Sequence, residues 1–591
     1  MSQAPATSRP VMVARPIAAR QRVTRPIQPR RDAMTTRPTP LTPFSTRFSS
    51  LAPLTNPDLS AWRDWRFWTQ KLDRAARSLT ASEWAFAVLL LFCYGYFIEP
   101  AGTNTISRWD MVYALAHGGA NIDIHACNTI DVSNYHGHWY SPRSLGLSLF
   151  AVPALAILGH FVALDNPINP CLDPVGWTWT NQIALISFIT VVPVTIAACL
   201  VMRRFIARLR PTLANSPLPF VVTGIFGLAT LFYPFSTTFF SHTVGGGFLL
   251  IGFYFLYRAR DSERPTRRIV WAGVFTGLGV VTEYPVGLIF LVLCGYILLA
   301  FPGQRIKTLF FYGLGILPSA LVLGWYNWYA FGNPFNLSYG FVTGDQFQGQ
   351  HTGFFGINMP TLSGLWQILV YPRGMLIESP FLIFIPLGLY IWYRSREARL
   401  EALVVIAVSV IYPLLVSSYF LPMAGENLPG PRLLLPALPF ACMGLAWVID
   451  DSRKWLRSAL MAMVGFALVI TFLYVVVGVR IFHNYGAYPV TDLYIPTLTS
   501  ARVPVRDGPT PQNIGELWLH LPPVLSLYVV ALAMGVWYYA ALRAVFPTAS
   551  PTNAEPAASG AAGEQRDAAA PSDEDDATRD RVALSFSATN T

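Results

Sequence analysis

Residues 104–153 read NTISRWDMVYALAHGGANIDIHACNTIDVSNYHGHWYSPRSLGLSLFAVP, a segment that sets acids, arginines, histidines and aromatic rings between two apolar runs. Its carboxylates are Asp110, Asp123 and Asp131, and its arginines are Arg108 and Arg143. A carboxylate can draw a proton from a hydroxyl, and a guanidinium stays charged while binding two phosphate oxygens at once. His136 and His138 could join Asp131 on a metal. Their two-residue spacing is not the i, i+4 arrangement of a strong zinc motif, so hydrogen bonding to a substrate is the better reading and no metal ligand is assigned. Two further ionisable positions lie at the ends of apolar runs: His242 after Ser241, and Glu283 before Tyr284-Pro285. A charge at such a depth is unfavourable unless it faces a cavity or a partner; helix capping or a structural ion pair is the plainer role. Arg373 with Glu378, and Glu426 with Arg432, flank later runs. The arginines could complete a cationic pocket, or Arg373 could pair with Glu378 and serve only the fold.

The elements that must position these groups follow from composition. Hydrophobic residues make up 53% of the 591 and charged residues 13%, with a mean hydropathy of +0.41. Soluble domains carry roughly 25% charged residues, so the chain is expected to be an all-α, polytopic helical membrane protein. Apolar runs of about 20 residues predict about 12 or 13 spans. They are placed near 83–99, 144–163, 177–202, 217–235, 240–257, 269–283, 285–302, 308–330, 376–393, 402–421, 433–449, 458–480 and 521–545. Flanking them are a disordered basic tail (1–54), an amphipathic interfacial helix (55–82) and a disordered tail (546–591) around a transmembrane domain (83–545), with residues 101–143 as its first external loop. The Arg-rich N-terminal tail reads as a cytoplasmic, lipid-facing flank and not as a nucleic-acid site.

Basic loops at Arg203–Arg210, Arg258–Arg268, Arg305–Lys307, Arg394–Arg399 and Arg453–Arg457 are expected on the cytoplasmic side, and loops 331–365 and 481–520 on the other. Segments 144–163 and 177–202 cannot both cross fully under that rule, and Gly146 and Pro153 would let the first be re-entrant. Cys127 and Cys171 sit in polar loops and could pair if both face an oxidising exterior, with free thiols as the alternative. Gly344–Gly356 reads as a mobile polar loop able to cover an acceptor. Loop aromatics such as Tyr339, Phe354 and Phe355 fit a sugar-stacking role, but interfacial anchoring is their default.

In order along the chain, Tyr140-Ser141-Pro142-Arg143-Ser144-Leu145-Gly146, Phe331-Gly332-Asn333-Pro334 through Tyr339, Tyr371-Pro372-Arg373-Gly374 and Gly430-Pro431-Arg432-Leu433-Leu434-Leu435-Pro436 resemble elements of the GT-C superfamily. The resemblance runs over residues 84–450. It implies an integral-membrane glycosyltransferase using polyprenyl-phosphate-linked sugars, in the branch of protein mannosyltransferases and lipid A aminoarabinose transferases. It also implies a catalytic carboxylate near the membrane surface and cations on the departing phosphate. The family places an acid shortly before the equivalent of Arg108, where this chain has Asn104-Thr105-Ile106-Ser107. The role of base then falls to Asp131 first and Asp110 second. Arg143 stands where the family has a phosphate-contacting Lys or Arg, with Arg108, Arg373 and Arg432 as helpers and His138, His242 and Glu283 as further site residues.

The resulting expectation is transfer of one sugar from a polyprenyl phosphate to an extracytoplasmic glycan, lipid or protein, by single displacement with inversion. The protein is expected in a cell (inner) membrane with both tails cytoplasmic. No motif requires a cofactor, and a divalent cation, Mg or Mn, is left open. The alternatives are a transporter or lipid flippase, against which stand the absence of a convincing repeat and the gathering of charges at one face, and a noncatalytic scaffold, suggested by the missing acid.

Overall fold

Thr80 opens the first membrane helix, α1 (Ala81–Gly95), with a reciprocal cap. Its Oγ1 accepts the Glu83 N–H at 3.2 Å, and the Glu83 carboxylate accepts the Thr80 N–H at 3.0 Å, satisfying two orphan donors of the helix start. The same buried carboxylate meets Arg203 at 3.3 Å and Arg204 at 2.7 Å. That contact ties the start of α1 to the end of the helix Trp177–Leu209 and pairs a charge that burial alone would penalise.

The computed structural model describes residues 78–99, 102–159, 177–423, 429–478, 490–496 and 512–547. The expected N-terminal tail, nearly all of the interfacial helix and the C-terminal tail lie outside the described residues. After α1 come β1 (Phe97–Ile98), α2 (Thr103–Ala116), β2 (Ser133–Tyr135) and β3 (His138–Tyr140). The helices α3 (Leu145–Leu158), α4 (Trp177–Leu209), α5 (Leu218–Leu228), α6 (Phe232–Ser236), α7 (Ser241–Arg260), α8 (Pro265–Thr282), α9 (Gly287–Ala300) and α10 (Arg305–Phe331) follow. The remainder is α11 (Leu362–Leu369), α12 (Ile385–Ser395), α13 (Arg399–Ser417), the helical run α14 (Arg432–Asp451), α15 (Lys454–Val477), β4 (Gln512–Asn513) and α16 (Pro523–Val545). β4 pairs antiparallel with β1.

Among the described residues, six helices (α4, α10, α13, α14, α15 and α16) are long and apolar enough to cross a membrane, and α1, α3, α5 and α9 are shorter apolar helices. The protein is a polytopic helical membrane protein, but the expected uniform series of about 12 or 13 rods, each near the ~20 residues of a full crossing, needs correction. The expected span 217–235 is divided between α5 and α6. The span at 376–393 begins as a turn at Met375–Glu378 and a 3-10 segment at Pro380–Phe384 before α12, because Pro380 and Pro386 have no N–H to give a continuous helix. The 14 residues of α3 cover about 21 Å against a hydrocarbon core of about 30 Å; residues 160–163 of that expected span lie outside the described residues.

Small residues set the helix spacing that builds the site. A Cβ on Gly273 of α8 would lie 2.1 Å from the Tyr312 carbonyl of α10, and one on Gly315 of α10 would lie 2.1 Å from the Val270 carbonyl of α8. Only glycine permits that approach, as in other close membrane-helix contacts. On its other side α8 packs antiparallel on α7, where a Cβ on Gly279 would meet Leu249 at 2.1 Å. This pairing brings the start of α7, Ser241-His242, to the end of α8, Glu283.

A second device is the β2–β3 hairpin. His136 and Gly137 both have positive φ, 52° and 85°, the pattern of a two-residue type I′ turn. The register Ser133↔Tyr140, continued outward, sets Asp131 opposite Pro142-Arg143. Cys127 is disulfide-bonded, whereas Cys93, Cys199, Cys294 and Cys442 are free; Cys171, its expected partner, lies outside the described residues.

Candidate active site

A cavity of about 180 Å³ opens at the meeting point of α2, the hairpin, the α7–α8 end, the loops around 337–357 and 419–421, and the start of α14. Its polar wall consists of Arg108, Asp131, Arg143, His242, Glu283 and Arg432, and its apolar wall includes Leu337, Val342, Phe347, Phe355, Ile357 and Leu415.

Arg108, almost fully enclosed on α2, is fixed through all three nitrogens. Its Nε donates to Asn104 Oδ1 at 3.2 Å, Nη1 to the Ser144 carbonyl at 3.4 Å and Nη2 to Ser241 Oγ at 2.6 Å. Burial lowers this guanidinium to about 10, so it stays charged at neutral pH. Ser241 passes the contact on, its hydroxyl donating to Glu283 Oε2. His242 Nδ1 stands 3.0 Å from the same oxygen, although neither ring nitrogen has a hydrogen bond of good geometry among the described residues.

On the opposite side, Arg143 closes on Asp131 Oδ2 with Nε at 2.6 Å and with Nη2. Burial works against the Arg143 charge, but the adjoining Asp131 carboxylate outweighs it and holds the group above its usual value. Asp131 Oδ1 is buried and has no hydrogen-bond partner among the described residues. Arg432 lies 5.3 Å over the ring of Phe240, and among the described residues no carboxylate pairs with it. The cavity therefore carries three guanidinium groups against two carboxylates, a cationic excess in a place with little water to screen it.

The sequence-derived site residues divide in two. Asp131, Arg108, Arg143, Arg432, His242 and Glu283 meet on one cavity wall. Asp110 does not: it follows Arg108 by two residues, about 200° round a helix, and faces Asn128 in the protein interior. Burial there pushes its carboxyl well up. His138 is also away from the cavity, with a side chain 59% exposed at the hairpin tip and paired at 2.6 Å with Asp123. Arg373 is half-buried and does not line this cavity; its charge is felt by Glu378. Glu426 lies outside the described residues. Among the described residues no group of three or more His, Cys, Asp or Glu could hold a metal ion.

Two contributors escaped the sequence reading. Tyr419 and Phe420, just past α13, line the cavity; aromatics at the end of an apolar run look like ordinary interface anchors. Tyr419 donates to Gln350, and burial pushes its phenol up to about 12. Gln350 belongs to the expected loop 344–356, which here forms the 3-10 turn Asp345–His351 and supplies cavity wall.

Solved structures offer one point of comparison. The chain is similar to ArnT. The crystal structure of ArnT from Cupriavidus metallidurans bound to undecaprenyl phosphate is 15% identical, with a TM-score of 0.45 over 79% of this chain and 78% of that one. The apo structure of the same protein is 14% identical, with a TM-score of 0.43 over 80% and 78%. No family model matches the sequence, and no curated protein matches it.

Proposed function

We propose that the protein is a membrane glycosyltransferase that moves a sugar from a polyprenyl-phosphate donor to an acceptor at the extracytoplasmic surface. The observation that carries this reading is the cavity's composition: a cationic wall with Arg432 uncompensated among the described residues, facing aliphatic and aromatic walls. Such a site suits an amphiphile with a phosphate head and a hydrocarbon tail, and arginine suits a phosphate that gains charge as it leaves. The order of GT-C-like motifs supplies the reaction class.

In this reading Arg108, Arg143 and Arg432 hold the donor phosphate. Asp131 keeps the Arg143 guanidinium oriented. An acceptor oxygen attacks the anomeric carbon from the side opposite the phosphate, so the configuration inverts. The acceptor is a glycan, a lipid or a protein group, and a divalent cation such as Mg or Mn is compatible with the phosphate pole.

Helix direction supports the extracytoplasmic placement. The 20-residue helix α7 starts at the cavity and ends at Arg258 and Arg260, about 30 Å away along a straight helix. α13 runs the other way, from Arg399 to the cavity, and α14 leads from Arg432 towards Arg453, Lys454 and Arg457. With the basic ends cytoplasmic, the cavity opens on the extracytoplasmic face. The test is incubation of the purified protein with radiolabelled polyprenyl-phosphate sugars and membrane acceptors. Labelled product and free polyprenyl phosphate are expected; donors that are neither transferred nor hydrolysed would count against the reading.

A further inference from the structure

Sugar transfer to a hydroxyl needs a group to receive the hydroxyl proton. The segment Asn104–Ser107 offers no acid, and Asp131, although its Oδ1 has no hydrogen-bond partner among the described residues, is committed through Oδ2 to two nitrogens of Arg143 and so serves as that cation's counter-charge. The cavity's remaining ionisable pair is His242 and Glu283, which reach it from α7 and from the end of α8.

We infer that His242 is the base of the transfer and Glu283 its positioning partner, an inference that rests on the glycosyltransferase reading. The imidazole lines the cavity, is buried, and has an Nε2 with no partner among the described residues. A proton on Nδ1, the nitrogen 3.0 Å from Glu283 Oε2, leaves the lone pair of Nε2 as the acceptor, and this is the tautomer the proposal requires. The charged groups around the ring are Glu283, Arg432 and Arg108. The carboxylate favours an imidazolium, and the two arginines oppose it.

The step balances. The acceptor O–H proton passes to Nε2 as the oxygen bonds the anomeric carbon. The bond from that carbon to the phosphate oxygen breaks, and its electron pair leaves on the polyprenyl phosphate. The imidazolium then gives its proton to water. Ser241 couples the two halves of the site, since its Oγ accepts from Arg108 and donates to Glu283.

The test is the pH profile of sugar transfer for the wild type, His242→Gln, Glu283→Gln and Asp131→Asn, with polyprenyl phosphate binding as the check on folding. His242→Gln is expected to bind the lipid, to lose roughly a hundred- to ten-thousandfold in kcat, and to lose the acid limb of the profile. Glu283→Gln keeps that limb but displaces it to lower pH, because the imidazolium loses its counter-charge. Asp131→Asn keeps it in place. A His242→Gln enzyme with the wild-type acid limb and a defect confined to KM would overturn the assignment, as would loss of the limb in Asp131→Asn. A wild type that consumes no lipid-linked sugar would instead remove the glycosyltransferase reading beneath it.

Discussion

Arg143 and Asp131 meet across the base of the β2–β3 hairpin, where two guanidinium nitrogens converge on Oδ2 and leave Oδ1 buried and unpartnered. The pairing fixes a cation at the cavity wall without satisfying all of the acid that fixes it. It exists because a two-residue turn at His136-Gly137 sets the register that brings residues twelve apart face to face.

The pair is expected to be strongly coupled. Asp131→Asn leaves a largely buried guanidinium without its charge partner, and Arg143→Gln strands the carboxylate. Each should lower thermal stability by more than the double variant implies if their effects were independent. A double-mutant cycle read by thermal unfolding in detergent should give a coupling of about 1–3 kcal/mol; a cycle that sums to zero would mean that the contact contributes nothing.

The α8–α10 contact depends on the absence of a side chain. Gly273→Ala and Gly315→Ala each place a carbon about 2.1 Å from a carbonyl oxygen, and the helices must separate. A loss of about 1–3 kcal/mol is expected from the overpacking, seen as a lower unfolding temperature, with weaker activity because Glu283 ends α8. Gly313→Ala on α10, where nothing lies within 4 Å, should leave both unchanged.

Asp110 gives a pH signature in stability and none in catalysis. Burial raises its carboxyl in the folded state, so between the unfolded value and the raised folded value the native protein binds more protons than the unfolded one. Stability is then greatest below the ordinary Asp value, near 3.9, and declines as pH rises from there towards the folded value. Asp110→Asn removes that decline. The variant should unfold at a higher temperature than the wild type at pH 7, and the difference should close towards pH 4. Its sugar transfer should match the wild type.

How far the sequence reached varied with the kind of signal. His242 and Glu283 are legible as cavity candidates because an ionisable group at the end of an apolar run needs a reason to be there, and Arg108, Arg143 and Arg432 because they fall in or beside the GT-C-like motifs. Asp131 is legible because it precedes the Tyr140–Gly146 motif that carries Arg143. Asp110 is not separable from Arg108 while residues 101–143 read as a loop, and only the helix α2 shows that positions two apart face opposite ways. Arg373 and Arg432 each stand near an acid in the sequence, Glu378 and Glu426, so type and flank do not separate them; the folded cavity, lined by Arg432 and not by Arg373, does. Apolar runs located most helices, yet hydropathy does not register that Pro380 and Pro386 break one. Nor could it find the α7–α8–α10 contacts, which depend on glycines meeting across helices distant in sequence.

The central claim is that this cavity holds a lipid phosphate through its cations, and the most direct measurement compares the affinity of the purified protein for a polyprenyl phosphate with that for the matching polyprenol, in the wild type and in Arg432→Gln. Clear preference for the phosphate is expected in the wild type, with a roughly ten- to hundredfold loss in the variant, the size of one charged hydrogen-bonding contact, and polyprenol binding unchanged. Equal affinity for the two lipids, untouched by Arg432→Gln, would contradict it.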